Sequence, residues 1–289
     1  MRIKILSILL LGMISVGTAS ILIKLCNASP IVIATYRMFL SALMVLPVFL
    51  LKGLLEAREK KSQIKDFIPL GILISAHFIL WIYSLSYTSV ASSTVLVTTN
   101  PMFVPIFSFL IYKERTNKRL LLGILIAITG SILIALAAKN SGISRNFGNL
   151  LALLGAVAVS LYLTIGKRVR SNFSLISYIF FVYSFAGIIL LAVAVITRQN
   201  LFIHSSKTYL LLFLIALIPQ VIGHTAYNWA LKYLSASFIA ISILGEPIFA
   251  TIFAFFILKE VPSILEIIGA ILIMAGIYFS TRVEAYLNK

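Results

Sequence analysis

Apolar runs of about 20 residues recur along the whole chain, and the charged residues fall almost entirely between them. A helix needs about 20 apolar residues to cross the hydrocarbon core of a bilayer, so each run is a candidate membrane helix. The 289 residues are 61% hydrophobic and 11% charged, which is more apolar than a soluble protein of this size requires. The sequence therefore predicts an all-α integral membrane protein, with the lipid bilayer as its surroundings.

Breaks at charged residues and prolines divide the chain into ten predicted transmembrane helices. They lie near residues 3–24, 31–51, 67–88, 90–111, 119–138, 147–166, 175–197, 208–231, 236–258 and 263–281. The opening stretch MRIKILSILLLGMISVGTAS also has the basic start and apolar core of a cleaved signal peptide. Apolar sequence continues after it without a polar mature start, so we expect this stretch to be the first membrane helix.

The net charge of +16 is distributed unevenly between the two ends of the predicted helices. With the N-terminus in the cytoplasm, the inside segments hold 17 of the 24 Lys and Arg residues, the outside segments hold six, and Arg37 lies within a span. Lys and Arg are enriched in cytoplasmic loops, so both termini are predicted to be cytoplasmic. Because the chain has no basic soluble domain, we expect no nucleic-acid partner.

The chain repeats itself with an offset of 146 residues. The segment PMFVPIFSFLIYKE at 101–114 and the segment PIFATIFAFFILKE at 247–260 are identical at eight of fourteen positions without a gap. We therefore predict two five-helix halves, 1–140 and 147–289. Because five is odd, the second half enters the membrane from the side opposite to the first. Inverted repeats of this kind are the architecture of many secondary transporters.

In each half, a proline-containing apolar helix is followed by a Lys-Glu pair and a glycine-containing fifth helix, the pairs being Lys113-Glu114 and Lys259-Glu260. This duplicated arrangement resembles the paired EamA domains of the drug/metabolite transporter superfamily, and it covers nearly the entire chain. The resemblance implies a carrier with a central cavity lined by helices 1, 3, 4, 6, 8 and 9. It implies export of amino acids or related small metabolites across the cytoplasmic membrane by alternating access.

The alternative function is an integral membrane enzyme acting on a lipid substrate. No pair of acids and no Ser/His/Asp set converges within the predicted spans, so we expect no catalytic residues. No GxxxxGK[ST] motif occurs, which excludes this route to ATP-driven transport, and no Cys/His cluster has metal-ligand spacing. We therefore expect a small-molecule substrate, no cofactor and no metal.

Two prolines interrupt helices 4 and 9 at equivalent positions of the two halves. Asn100-Pro101 and Glu246-Pro247 each place a polar side chain next to a proline in the middle of a span. A proline removes one backbone N–H and obstructs the carbonyl four residues earlier, so the helix kinks. Neighbouring helices can satisfy such a break, but a kink beside a polar side chain is typical of a binding site. We expect both kinks to line the substrate pathway.

Of the eight acidic residues, Glu246 lies deepest in a predicted span. An ionised side chain at the centre of a membrane helix costs about 2.5–3.5 kcal/mol and normally faces a cavity or a partner. Three roles are open: a site for protons or substrate, a structural partner of Arg37, and a neutral acid that donates a hydrogen bond to another helix. Arg37 can pair with Glu246 or extend its long stem to the outer surface.

Helix 8 carries a polar stripe, because Gln220, His224 and Asn228 recur at four-residue spacing. His77 and Trp81 are one turn apart on helix 3. These side chains either face the cavity or hold helices together by hydrogen bonds. The predicted substrate-binding residues are Trp81, Asn100, Tyr162, Gln220, His224, Tyr227, Asn228 and Glu246, and the candidates for proton coupling are Glu246 and His77.

Two glycine pairs, Gly123 with Gly130 and Gly269 with Gly276, are each two helical turns apart. Small residues at such spacing let two membrane helices approach closely. We therefore predict that helices 5 and 10 pack against each other, as a scaffold or as the surface of a homodimer. We expect a monomer or a homodimer.

The predicted topology can be tested with a cysteine introduced at Lys61, after Cys26→Ala has removed the native thiol. We expect an impermeant thiol reagent to leave this cysteine unlabelled in intact cells, because the 52–66 loop is predicted to be cytoplasmic. Permeabilised cells provide the labelling control. Labelling in intact cells would show that the loop lies outside and that the predicted orientation is wrong.

Overall fold

The structure, a computed structural model, describes residues 2–88, 90–137, 144–258 and 264–287. Helices make up its regular structure, with no strand in these ranges. The helices are α1 (Arg2–Gly17 and Ala19–Leu25), α2 (Pro30–Lys52), α3 (Phe67–Tyr87), α4 (Val90–Val97 and Asn100–Tyr112), α5 (Lys118–Ala137), α6 (Ser144–Asn172), α7 (Leu175–Ile196), α8 (Ser206–Ile215, Ala216–His224 and Thr225–Ala230), α9 (Ala236–Ile243, Glu246–Phe253 and Ala254–Leu258) and α10 (Ile264–Leu287).

Eight helical stretches of the described chain are long and apolar enough to cross a membrane. They are Ile3–Leu25, Pro30–Lys52, Lys61–Tyr87, Ser93–Tyr112, Asn146–Asn172, Leu175–Ile196, Ser206–Ala230 and Ala236–Ile257. The predicted all-α class and repeated membrane crossing are confirmed. Crossing of the membrane by α5 and α10 as well stays a prediction.

Serine residues begin four of the helices, and in each case the hydroxyl accepts a hydrogen bond from a backbone N–H in the first turn. The first N–H groups of a helix have no partner within the helix, so a serine at this position stabilises the start of the helix. The pairs are Ser29 with Val32 at 3.4 Å, Ser174 with Ser177 at 3.3 Å, Ser205 with Thr208 at 3.2 Å and Ser235 with Phe238 at 3.1 Å.

Both predicted proline kinks are present. α4 is interrupted between Val97 and Asn100, and α9 is interrupted between Ile243 and Glu246. Before each break the hydrogen bonds shorten to three-residue spacing: the Thr99 N–H donates to the Leu96 carbonyl at 3.2 Å, and the Gly245 N–H donates to the Ser242 carbonyl at 3.0 Å. Each proline is the second residue of the segment that follows, where its missing N–H costs no helical bond.

A third interruption lies in α8, where residues Ala216–His224 form a π-helical segment around Pro219. The four-residue spacing of Gln220, His224 and Asn228 assumes a regular α-helix here, and this assumption is wrong. Pro219 cannot donate the usual backbone hydrogen bond, so the wider turn accommodates the missing donor. As a result, Gln220 and His224 project from an irregular turn.

The central helices α1, α3, α4, α6, α8 and α9 pack together, while α2 and α7 pack against each other beside α3. α5 and α10 form a separate pair in which glycines bring the backbones together. A Cβ atom added to Gly130 would lie 2.4 Å from the Gly269 carbonyl oxygen, and one added to Gly276 would lie 2.6 Å from that of Gly123. The predicted close packing of these two helices is confirmed, and Lys259-Glu260 lies outside the described residues.

A polar clasp joins the loop after α2 to the start of α7. Glu56, on the short helix Leu54–Glu59, accepts hydrogen bonds from the Ser174 N–H at 3.0 and 3.1 Å and from Lys60 Nζ at 3.0 Å. Lys60 Nζ also donates to the Asn172 carbonyl. Burial acts to raise the pKa of the Glu56 carboxyl, but hydrogen bonds from Ser174, Ser177 and Lys60 outweigh it and lower the pKa to about 2. The clasp connects the two predicted halves.

We expect Glu56→Gln to lower the stability of the protein by about 1–2 kcal/mol at pH 7, because it removes charge-assisted hydrogen bonds. A carboxyl whose pKa is lowered by folding stabilises the fold above its ordinary pKa of 4.5, and this contribution is lost as the pH falls toward 2. The difference between wild type and variant should therefore shrink below pH 4.5, as measured by thermal unfolding in detergent. Glu59→Gln, at an exposed position of the same short helix, is the control; equal losses in both variants would contradict the clasp.

Candidate functional site

A narrow cavity lies where the two predicted halves meet. Residues of α1, α3 and α4 from the first half and of α6, α8 and α9 from the second half line it. These are the six helices that the resemblance implies for a central cavity. The lining residues are Val16, His77, Trp81, Val97, Thr98, Asn100, Val159, His224, Ile243 and Glu246.

The cavity has a volume of about 30 Å³, which is room for about two water molecules. At the edge of the cavity α1 packs closely against α9: a Cβ atom added to Gly17 would lie 2.6 Å from Cβ of Phe249. α1 is equally close to α8, since a Cβ atom on Gly223 would lie 2.5 Å from a methyl carbon of Val16. A metabolite can enter a site of this size only if the helices around it move apart.

Two of the lining side chains present buried polar atoms that lack a hydrogen-bond partner in the described part of the chain. They are the amide oxygen and nitrogen of Asn100 and the indole Nε1 of Trp81. The Asn100 side chain is fully buried, whereas its backbone carbonyl accepts a hydrogen bond from the Ser160 hydroxyl at 3.3 Å. Buried polar groups normally have partners, so these atoms are suited to bind a polar ligand.

Glu246 begins the second segment of α9 and lines the same cavity, with 9% of its surface exposed. Its carboxyl interacts electrostatically with the Tyr227 hydroxyl and with the Arg37 guanidinium. The Tyr227 hydroxyl nevertheless makes no hydrogen bond of ordinary geometry to any described residue. Of the polar residues of α8, His224 lines this cavity with Glu246, and Tyr227 lies close to the Glu246 carboxyl. Gln220 and Asn228 do not line it, because they bond to Arg37 and Tyr162.

Arg37 is fully buried, so its side chain does not extend to the outer surface. Its Nε donates a hydrogen bond to Oε1 of Gln220 at 2.7 Å, and its guanidinium carbon lies 4.0 Å from the centre of the Phe78 ring. Among the described residues the ion pairs are Lys60 with Glu56 and Arg168 with Glu114. Arg37 and Glu246 thus interact across a distance without forming a direct ion pair.

The two buried histidines have different surroundings. Nδ1 of His77 lies 3.0 Å from the Gly155 carbonyl of α6, and because a carbonyl can only accept, this nitrogen carries the proton. The His77 ring stacks on Trp81 with centroids 6.2 Å apart. His224 makes edge contacts with the rings of Phe78 at 5.4 Å and Tyr227 at 6.1 Å. Both histidine rings line the cavity, and contacts with neighbouring residues hold each ring in place.

Tyr162 and Asn228 lie outside the cavity and bond to each other. The Tyr162 hydroxyl donates to Oδ1 of Asn228 at 2.8 Å and accepts from the Tyr178 hydroxyl at 3.4 Å. Arg170 Nε donates to the Asn228 carbonyl at 2.9 Å. This network joins α6, α7 and α8, which is the helix-joining alternative for Asn228 and places Tyr162 away from the predicted substrate site.

A larger crevice of about 330 Å³ lies at the end of α4, α6 and α9 that is predicted to face the cytoplasm. Its polar lining includes Glu114, Asn117, Lys167 and Ser237. Ser108 on its wall is eight residues from Asn100 along α4, or about 12 Å at 1.5 Å per residue. Packed side chains such as Val104, which is fully buried, separate the crevice from the cavity.

Three features of this region were not predicted from the sequence. Thr98 lines the cavity because it lies at the break in α4, and the adjacent Pro101 was the available signal. The available sequence signal for the irregular turn of α8 was Pro219, which directly precedes Gln220. The nearness of Arg37 to Gln220 had no sequence signal, since 183 residues separate them.

The polar atoms of the cavity should cost stability, whereas those of the Tyr162 network should provide it. We expect Asn100→Leu to raise stability by about 1–3 kcal/mol, because it removes buried groups that lack partners. Tyr162→Phe should lower stability by about 1 kcal/mol, because it removes the hydrogen bond to Asn228. Thermal unfolding in detergent measures both, and a loss of stability in Asn100→Leu would show that its amide has partners.

Comparison with known proteins places the chain in a family. The sequence profile of the EamA-like transporter family matches residues 3–136 and again residues 146–282. An "Uncharacterized transporter" of Archaeoglobus fulgidus is 25% identical over 267 residues, which are 90% of each chain. The "Uncharacterized transporter YyaM" of Bacillus subtilis is 24% identical over 271 residues, which are 90% of this chain and 88% of that one. A crystal structure with 16% sequence identity has the same fold, with a TM-score of 0.79 over 100% of both chains. The chain belongs to the EamA-like transporter family.

Proposed function

We propose that the protein is a secondary carrier that exports amino acids or related small metabolites across the cytoplasmic membrane by alternating access. The substrate binds near Asn100, Trp81 and Glu246, in the cavity between two inverted five-helix halves. Ten helices cross the membrane, and both termini face the cytoplasm. The names of the relatives support transport over the alternative of a lipid-modifying enzyme.

The observation that carries this proposal is a cavity between the halves with polar atoms that lack partners in the described structure. These atoms belong to Asn100 and Trp81 of the first half, and Glu246 of the second half lines the same cavity. Transporters with inverted repeats handle their substrate at such an interface, beside interrupted helices. The breaks in α4 and α9 supply both the polar side chains and the room for them.

Two observations support the inverted halves. The family profile matches the chain twice, with about 140 residues between the two starts, and the breaks in α4 and α9 occur at equivalent positions of the repeat. α5 and α10, which follow these broken helices, expose large apolar side chains as lipid-facing helices do. Examples are Leu122 at 53%, Leu125 at 60%, Ile271 at 63% and Met274 at 56%.

The crevice of about 330 Å³ supports a route from the cytoplasm to the cavity. It is bounded by the same α4, α6 and α9 that line the cavity about 12 Å further into the protein. Rocking of one half against the other would join the crevice to the cavity and later open the opposite side. The cavity is too small for a metabolite in the present conformation, which is what a closed stage of such a cycle requires.

Counterflow of radiolabelled amino acids in proteoliposomes tests the function, with Glu246→Gln as the informative variant. The substitution keeps size and hydrogen bonding but removes the charge. If Glu246 carries a proton during the cycle, the variant should lose pH-driven transport and retain exchange. If Glu246 attracts the ammonium group of the substrate, the variant should instead lose affinity for amines.

Glu59→Gln is the matched control, because Glu59 is an exposed residue of the short helix Leu54–Glu59 and lines neither the cavity nor the crevice. This variant should transport like wild type. A Glu246→Gln protein with wild-type transport at every pH and unchanged affinity would make Glu246 a structural acid. A wild-type protein that chemically alters the labelled compound would support an enzyme.

A further inference from the structure

Arg37 is a cation placed deep in a membrane protein. It lies seven residues after the start of α2, which is about 10 Å along the helix, and none of its surface is exposed. A buried guanidinium stays protonated, so the charge must be compensated by an anion or by hydrogen bonds. Intramembrane charges of this kind mark functional sites in membrane proteins.

The protein contacts the Nε edge and the face of this guanidinium, and it leaves the edge formed by Nη1 and Nη2 without a hydrogen bond to any described residue. Oε1 of Gln220 accepts from Nε at 2.7 Å, while the rings of Phe78 and Trp81 lie 4.0 and 5.7 Å from the guanidinium carbon. Nη1 and Nη2 make no hydrogen bond to any described residue. These two nitrogens form a planar fork, which matches the two oxygens of a carboxylate.

The side chains around Arg37 place it beside the cavity. Trp81, whose ring the guanidinium faces, lines the cavity together with His224, and His224 packs on the ring of Phe78. Glu246, on the cavity wall, interacts electrostatically with Arg37 without pairing with it. A fixed cation and an acid therefore approach one small polar space from different helices.

We propose that Arg37 is an anion-binding residue, whose Nη1 and Nη2 take the carboxylate of a zwitterionic substrate while its ammonium group faces Glu246. Gln220 is the positioning residue, because its bond to Nε orients the fork. The substrate assignment rests on the proposed function, but the anion site itself does not require transport. Without its anion, the guanidinium remains a buried cation whose four N–H donors on Nη1 and Nη2 have no acceptor among the described residues.

Acetate is a suitable probe, since it is the smallest ligand after formate that carries a carboxylate, and acetamide is its neutral counterpart. In detergent at constant ionic strength, acetate should raise the thermal unfolding midpoint by about 2–4 °C relative to acetamide. Arg37→Met should abolish this difference. Arg168→Met, at a side chain that is 60% exposed, should preserve it. Equal midpoints in acetate and acetamide for the wild type would overturn the proposal.

Gln220→Glu tests the site by supplying a carboxylate from the protein itself, while Arg37 stays in place. The introduced carboxylate should pair with the guanidinium, raise the midpoint of the acetate-free protein and remove the response to acetate. A lower midpoint together with an unchanged acetate response would contradict an anion site at Arg37.

Counterflow separates this proposal from the proposed function. A wild-type protein that responds to acetate but accelerates no exchange would retain the anion site and reject the carrier. A wild-type protein that exchanges amino acids but shows no acetate response would retain the carrier and reject the role of Arg37. In a protein that has both activities, leucine counterflow should fall at least tenfold in Arg37→Met, whereas an unchanged rate would reject the zwitterion assignment.

Discussion

The hydrocarbon core of a bilayer offers no hydrogen-bonding partner to a polypeptide, and the architecture of this protein depends on that constraint. Every backbone N–H and C=O within the membrane must be satisfied inside the protein, which is why the spanning segments are helices. Where a proline interrupts a helix, the freed backbone groups must lie against other protein segments or a polar cavity. The breaks in α4 and α9 and the irregular turn of α8 meet this requirement together, because residues from all three line or border the same cavity.

The same constraint separates two kinds of polar cluster. In the network of Tyr162, Asn228, Tyr178 and Arg170, donors and acceptors are paired across three helices, so the cluster stabilises the fold. Around the cavity, by contrast, Asn100 and Trp81 contribute polar atoms that lack a partner among the described residues. Leaving such groups unpaired reduces stability, and this cost is common where a site must bind something else.

The charged residues also fall into two groups, those outside the membrane core and those within it. Glu56 and Lys60 lie outside the membrane core, where their hydrogen bonds join the loop after α2 to the beginning of α7. Arg37 and Glu246 lie within it and form no ion pair with each other, although each is within electrostatic range of the other. A direct pair would neutralise both charges and leave little for a ligand to recognise. In the proposed carrier, a cation beside the cavity and an acid on its wall match the distribution of charge in a zwitterion.

The sequence by itself determined the class of fold, because the length and spacing of apolar runs are set by the thickness of the bilayer. It also determined the positions of the breaks in α4 and α9, since the effect of Pro101 and Pro247 on a helix is local. The glycine pairs marked the faces on which α5 and α10 could approach closely, because glycine has no side chain to keep two helix backbones apart. Only the tertiary structure decided which polar side chains meet: it joined Arg37 to Gln220 and moved Tyr162 and Asn228 into a network away from the cavity. Helical periodicity defines the face on which a residue lies, but the neighbour of that face depends on how helices distant in sequence pack together.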